Sequence, residues 1–335
     1  MKINNIPLNR WSRNSHEPHP YKDSMSIGGR ISFDIYHEAR RDQTLSGIKN
    51  LKMKTLANFL KIDKKIGKII EVQYSEMRNM VNTPKLKEYL ISDINITESL
   101  FNIYFKNVFA LGEMYGIPLN LMVDRTPSLL PNIMSGREFK KLNIVSDTTN
   151  IQRHPIYMKK KQGALVDTFL PKLYLNKVIK VDFASMYPKI VENFNLSPET
   201  VKILRYDLYT GEFKFNISNP KMWICNFPDS TANKDIIIQI DMQNRGFLSK
   251  FMTDVLSERF IIKAKMKVLK RGSTEWEELN VRQNALKVVA NAITGYHGND
   301  YARFGDLGVY CAITGFGRYY IQLAMNGIRD ISNEK

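Results

Sequence analysis

Apolar positions along this 335-residue chain recur with two periods, and the change from one to the other marks out its elements. In RISFDIY (30–36), Ile31, Phe33 and Ile35 alternate with polar residues, so a strand is predicted where order begins, at Arg30. LKMKTLANFLKI (51–62) repeats Leu51, Leu56, Phe59 and Leu60 at helical spacing. Residues 83–116 carry that spacing through one or two long amphipathic helices, which Gly116-Ile117-Pro118 ends, and a domain boundary is expected there. Residues 1–29 are polar, with Pro7, Pro18, Pro20 and a Gly28-Gly29 break, and read as a disordered lead-in.

From 117 to 176 the signals are mixed, with Pro127, Pro131, Pro155 and Pro171 and a basic run at Lys159-Lys160-Lys161, and this stretch reads as a connection. VIKVDF (178–183) is an apolar, β-branched strand, followed by a helix from about Ser185 and by short alternating strands around 201–240. Two long helical patterns come next, at 249–272 and 273–298. Gly272 can take the left-handed cap of the first, and Ser273 or Thr274 the N-cap of the second, so an antiparallel helical hairpin is predicted. The fold class is α+β, in several domains.

Composition narrows the partners. Lysine and arginine outnumber the acids 49 to 33, for a net charge of +16 and a pI near 9.6. Such a balance favours polyanions, nucleic acid ahead of an anionic membrane surface. No apolar stretch approaches the length that spans a bilayer and the start lacks a signal-peptide core, so a soluble, intracellular protein is expected. Two cysteines and five scattered histidines make neither a disulfide framework nor a zinc site. Metal chemistry would therefore use oxygen ligands, which points to Mg2+ or Mn2+.

Asp182 is the candidate ligand. At the end of a strand a carboxylate projects from rigid backbone and can hold a metal accurately, although such an aspartate also serves as a helix N-cap or a surface charge. Two-metal phosphoryl transfer usually needs at least two carboxylates, and Asp182 is one. Arg259 and Lys263 share a helical face, with Lys267 a turn further; Gln283, Lys287 and Asn291 make a matching stripe on the next helix. Facing stripes could grip a triphosphate, or each could be a solvated charged face. Lys287 sits among Val288, Val289, Ala290, Ala292 and Ile293, where a buried charge is costly without an anion. Thr294 is expected on the same face as Lys287 and Asn291. Tyr187 could stack under a sugar or fill a core.

Taken in order, these segments resemble the family B, or α-like, DNA polymerases. DFASMYPKIV (182–191) is similar to palm motif A, DxxSLYPSII, and NLSPET (195–200) to the stretch behind it. Residues 246–267 resemble the first fingers helix, and RQNALKVVANAITGYHG (282–298) resembles motif B, KxxxNSxYG. RFGDLGVYCAITGFGRYYI (303–321) is similar to the next palm segment, EYLISDINITESLF (88–101) to the third exonuclease motif, YxxxD, and YGIPLNLMV (115–123) to the region after it.

The resemblance implies the C-terminal part of an RNase H-like exonuclease domain at 30–116, palm at 177–246, fingers at 247–298 and the start of a second palm segment at 299–335. It implies that Asp182, with the backbone carbonyl of Phe183, binds two Mg2+ ions, with Mn2+ as a possible substitute. Tyr187 would be the gate against ribonucleotides. Arg259, Lys263 and Lys287 would bind the dNTP, Lys287 protonating the pyrophosphate and Asn291 supporting it. Tyr89 and Asp93 would be an exonuclease-motif remnant. Three departures stand out: Thr294 replaces the motif B tyrosine, Lys189 the motif A serine, and neither motif C, YxDTD, nor the thumb has a counterpart.

The expectation is one part of a split DNA polymerase acting on primer–template DNA and dNTP. A second polypeptide would supply motif C and the thumb, and another could carry the N-terminal exonuclease motifs. The alternatives are a non-catalytic DNA-binding remnant or a gene fragment.

Overall fold

The computed structural model describes residues 19–21, 24–26, 31–42, 45, 47–62, 67, 69–73, 75–123, 128–141, 143, 161–166, 181–299 and 302–333. The chain divides between Arg125 and Thr126 into two compact units. No helix among the described residues is long and apolar enough to cross a membrane.

In the first unit, His19–Tyr21 (β1) and Ser24–Ser26 (β2) pair antiparallel within the stretch read as disordered, most of which lies outside the described residues. The described part of RISFDIY, from Ile31 on, is not a strand. Ile31–Asp34 joins no sheet, and α1 (Ile35–Arg41) starts because the Asp34 carboxylate accepts a hydrogen bond from the Tyr36 amide at 2.8 Å. Alternation needs a partner ladder to become a strand, whereas an Asp cap satisfies a helix start locally. Phe33 instead turns its ring edge onto Phe101 and Phe105.

The long helical pattern is one helix, α3 (Pro84–Tyr115). Thr83 caps it, accepting from the Leu86 amide, Pro84 opens it, and Gly116 ends it at φ 57°. Ile96, Leu100, Tyr104 and Val108 recur every fourth residue and bury one face against Leu56 and Ala57 of α2 (Met53–Phe59) and Ala39 of α1. A short helix, α4 (Leu119–Val123), follows the turn.

In the second unit, the stretch read as a connection contains α5 (Leu129–Lys141), in which Pro131 falls in the first turn, where no amide partner is lost. Residues 181–183 are not a strand, and 178–180 lie outside the described residues. Val181 is 72% and Phe183 44% exposed, and no described strand pairs with them. The helix behind them is α6 (Met186–Asn193). Four antiparallel strands, β3 (Val201–Leu208), β4 (Lys214–Asn216), β5 (Met222–Asp229) and β6 (Lys234–Asp241), form a sheet in the order β3-β6-β5-β4.

The predicted hairpin is present as α7 (Phe247–Val268) and α8 (Thr274–Tyr296). Gly272 sits at φ 85° and Ser273 accepts from the Trp276 amide. The start of α7 has no cap of its own. NLSPET supplies one: Asn195 Oδ1 accepts from the Gly246 amide at 2.8 Å, Glu199 from Phe247 at 2.5 Å and Ser197 Oγ from Leu248 at 3.2 Å. Asn195 also donates to the carbonyls of Asp241 and Asn244, at 2.7 Å each.

The last helix, α9 (Leu307–Asn333), lies on the sheet. Phe316 stacks on Phe194 at 3.9 Å and meets Phe215 and Phe227. The helix comes so close that a Cβ on Gly315 would stand 2.3 Å from Phe227 Cδ1.

Two stability outcomes follow from these contacts. Asn195→Ala strands buried groups at the junction of α6, β6 and α7, and a loss of about 3 kcal/mol in urea unfolding is expected; a loss within error would show that the junction is not what holds α7. Gly315→Ala overpacks a fully buried ring and is expected to cost about 1–3 kcal/mol in the same measurement.

Candidate active site

Asp182 and Phe183 lie in an exposed segment just before α6, and the Asp182 carboxylate makes no hydrogen bond or ion pair to another described residue. Ser185 follows with φ 55°, a left-handed conformation that is strained for a residue with a side chain and tends to persist where function requires it. Ser185 heads α6 without capping it. Its hydroxyl is taken instead by Arg259, whose Nη1 donates to Ser185 Oγ at 3.0 Å, while Nε donates to Gln283 Oε1 at 3.4 Å.

Arg259 therefore joins the residue three positions after Asp182 to both helices of the hairpin. Both partners are neutral oxygens, so its positive charge is not cancelled by a carboxylate among the described residues. Burial pushes its pKa down, and an arginine stays cationic regardless. The contact also sets the register of the hairpin. Lys263 lies one turn toward the tip from Arg259, and Lys287 and Asn291 lie one and two turns toward the base from Gln283. At 1.5 Å per residue, Lys263 and Lys287 flank the arginine over about 12 Å. On the neighbouring side Arg282 pairs with Glu258, away from this stripe.

One expectation about α8 needs correcting. Lys287 is exposed, as is Asn291, so its ammonium is hydrated and not buried. The apolar neighbours Val289, Ala290 and Ile293 point into the core on the opposite side. Thr294 shares the helical face of Lys287 and Asn291 but is buried nearer the base of the hairpin, its hydroxyl donating to the Ala290 carbonyl at 2.8 Å. A short β-branched hydroxyl turns back onto its own helix, where a large ring could not. Lys189 is a surface residue paired with Glu192 at 2.6 Å.

Tyr187 is half-buried, with burial raising its pKa, and its ring lies on the backbone of α9, where a Cβ on Gly317 would come within 2.8 Å of Cε1. The neighbouring Arg318 is buried and donates to the carbonyls of Gln162, Gly163 and Pro228, at 3.3, 3.0 and 2.9 Å. Buried Asp229 accepts from the Gln162 amide at 2.9 Å. Gly317, Arg318 and Gly163 were assigned no site role from the sequence. One signal was available: an arginine inside the apolar run of residues 309–321 must find acceptors.

For metal binding the second unit offers Asp182 as an open carboxylate with the Phe183 carbonyl beside it, which is a partial fit to a divalent cation. No group of three or more His, Cys, Asp or Glu that could hold a metal occurs among the described residues. Of the late acids, Asp306 is partly buried as the cap of α9, accepting from the Val309 amide at 2.8 Å, and Asp300 and Glu334 lie outside the described residues. In the first unit, Tyr89 and Asp93 lie one turn apart on α3, beside Lys54 of α2.

The chain has relatives among known proteins. The chain is 26% identical to DNA polymerase 2 of Aeropyrum pernix over 96% of its own length, and 24% identical to the DNA polymerase delta catalytic subunit of Oryza sativa over 91%. It spans 38% and 26% of the lengths of those relatives. Its fold matches the solved family B DNA polymerase of the archaeon Pyrobaculum calidifontis with a TM-score of 0.70 at 21% identity, over 97% of this chain and 40% of that one. The sequence profile of DNA polymerase family B matches residues 124–334, which include Asp182, the hairpin and α9. The chain belongs to DNA polymerase family B.

Proposed function

We propose that this chain contributes the palm motif A segment and the fingers to templated DNA synthesis, in which a primer 3′-hydroxyl attacks the α-phosphate of a dNTP. The observation that carries this reading is the Arg259 bridge, which brings the exit from Asp182, the first hairpin helix and the second into one contact set. The subdomains are then palm at 177–246, fingers at 247–298, a second palm segment from 299 and an exonuclease-like portion at 30–116. Its partners are primer–template DNA, the dNTP and residues outside these 335 that carry the second catalytic carboxylate, supplied by a further polypeptide in the split reading.

Asp182 and the Phe183 carbonyl would hold divalent cations, Mg2+ or Mn2+. When bound, such ions lower the pKa of the attacking hydroxyl and neutralise the charge that builds on the phosphates. Arg259, with a charge that no described carboxylate cancels, receives the triphosphate, and Lys263 and Lys287 extend the cationic stripe on either side. Lys287, exposed and hydrated, donates a proton to the leaving pyrophosphate oxygen. Asn291 supports it from the same face. Tyr187, backed by the α9 helix at Gly317, cannot retreat from a 2′-hydroxyl, which makes its ring a gate against ribonucleotides.

The purified chain is expected to extend no primer, and mixing it with a polypeptide carrying the second carboxylate is expected to restore extension, which Asp182→Asn lowers at least about a hundredfold. Extension by the chain alone would sink the split reading; salt-sensitive DNA binding with no restored extension would favour a DNA-binding remnant. In the complemented enzyme, Arg259→Ala is expected to raise the KM for dNTP about 10- to 100-fold. Tyr187→Ala should instead leave dNTP use largely intact while improving ribonucleotide use at least about tenfold. Equal losses with both nucleotide types for Tyr187→Ala would mean that the ring is simply core.

A further inference from the structure

We infer that Lys54 is the resident cation of the Tyr89–Asp93 pair, and that these three side chains staple the Ile69–Ile70 segment to α3 rather than forming a metal-ligating remnant. The exonuclease-motif resemblance puts a tyrosine and an aspartate, four residues apart on one helical face, where a divalent cation would be bound. The residues around them do not fit such an ion.

Lys54 projects from α2, and its Nζ stands 3.5 Å from Asp93 Oδ1 and 4.3 Å from the centre of the Tyr89 ring. It therefore meets a carboxylate and an aromatic face, the two groups that best stabilise an ammonium. Both charged side chains are mostly shielded, Lys54 being 20% and Asp93 23% exposed. Asp93 Oδ1 is buried and accepts no hydrogen bond among the described residues, so the ammonium is the charge set against it. Tyr89 lies beside the same carboxylate, and Asp93 is the main reason its pKa is raised, followed by burial. A divalent ion at Asp93 would have to displace the ammonium or sit against it, and no cluster of three metal-ligating side chains is present among the described residues to offset that repulsion.

The ammonium also has a task that a metal ion at Asp93 would interrupt. Lys54 Nζ donates to the Ile70 carbonyl at 2.5 Å, and the Ile70 amide donates to Ser92 Oγ, the residue before Asp93, at 3.4 Å. Both backbone groups of Ile70 are thereby held by the α2–α3 pair. Ile69 packs against the core that Leu56, Ile96 and Leu100 form. Thr97, a turn further along, donates to the Asp93 carbonyl at 2.8 Å and stands 3.2 Å from Met53 Sδ, which closes the same helix pair from the other side.

The test uses the full chain, with Lys54→Met, Asp93→Asn and the double variant compared by thermal unfolding, and Mn2+ alone as the metal probe. Each single variant is expected to lower the unfolding midpoint of the first unit by about 2–4 °C, with the double variant no lower than the worse single, because both remove one interaction. In the unsubstituted chain, millimolar Mn2+ is expected to leave the amide NMR signals of residues 89–97 no more broadened than those of the rest of the unit. Selective Mn2+ broadening around Asp93 would overturn the inference. So would single-variant losses that add in the double variant, which would mean that the two side chains act independently. The Mn2+ readout needs no substitution, so it stands even if a variant fails to fold.

Discussion

The second unit depends on how closely α9 lies on what it covers. A helix normally keeps its neighbours at the distance of its Cβ atoms, but at Gly315 and Gly317 that layer is missing, and the rings of Phe227 and Tyr187 move into the space. One approach seats the helix on the sheet, and the other sets the position of a candidate site residue. Phe316, between the two glycines, stacks on Phe194 just after α6, so sheet, α6 and α9 share one aromatic cluster. A side chain at either glycine would separate parts that the site needs together.

Polar accounting completes this core. Arg318, the next residue after Gly317, is itself buried. A buried guanidinium is tolerable only with acceptors, and three backbone carbonyls provide them. The same logic explains NLSPET: three amides at the start of α7 have no partner within their own helix, and Asn195, Ser197 and Glu199 satisfy them from the far side of the sheet in sequence. The hairpin is thus aimed by its base, and Arg259 then fixes it to the segment following Asp182. In the first unit an analogous demand, a buried carboxylate on α3, is met by an ammonium from α2.

Much of the helical structure was legible in the sequence because its determinants are local. Thr83 and Pro84 open α3, Gly116 closes it, and Gly272 with Ser273 makes the hairpin turn, each within a few residues of the group it satisfies. Strand assignments fared worse for the converse reason. Ile31, Phe33 and Ile35 alternate as a strand does, yet Asp34 supplied a helix cap first, and Val181 and Phe183 found no described partner strand. The helix at Leu129–Lys141 was obscured by Pro131, which breaks a helix in its interior but not in its first turn.

The sequence by itself determined which side chains are available: a carboxylate at 182, a tyrosine at 187 and cations at 259, 263 and 287, on helices whose spacing puts the cations in stripes. It also carried the ordered motifs that mark the family. Only the tertiary structure decided which of them meet. Helical spacing relates residues three or four apart, whereas the Arg259–Ser185 contact joins residues 74 apart, and Lys54 reaches Asp93 from another helix. The same distinction separates exposed Lys287 from buried Thr294, two turns apart on one face, since a helical wheel gives their angle but not where along the helix the core covers it. Burial is set by what packs against a face, and that partner lies elsewhere in the chain.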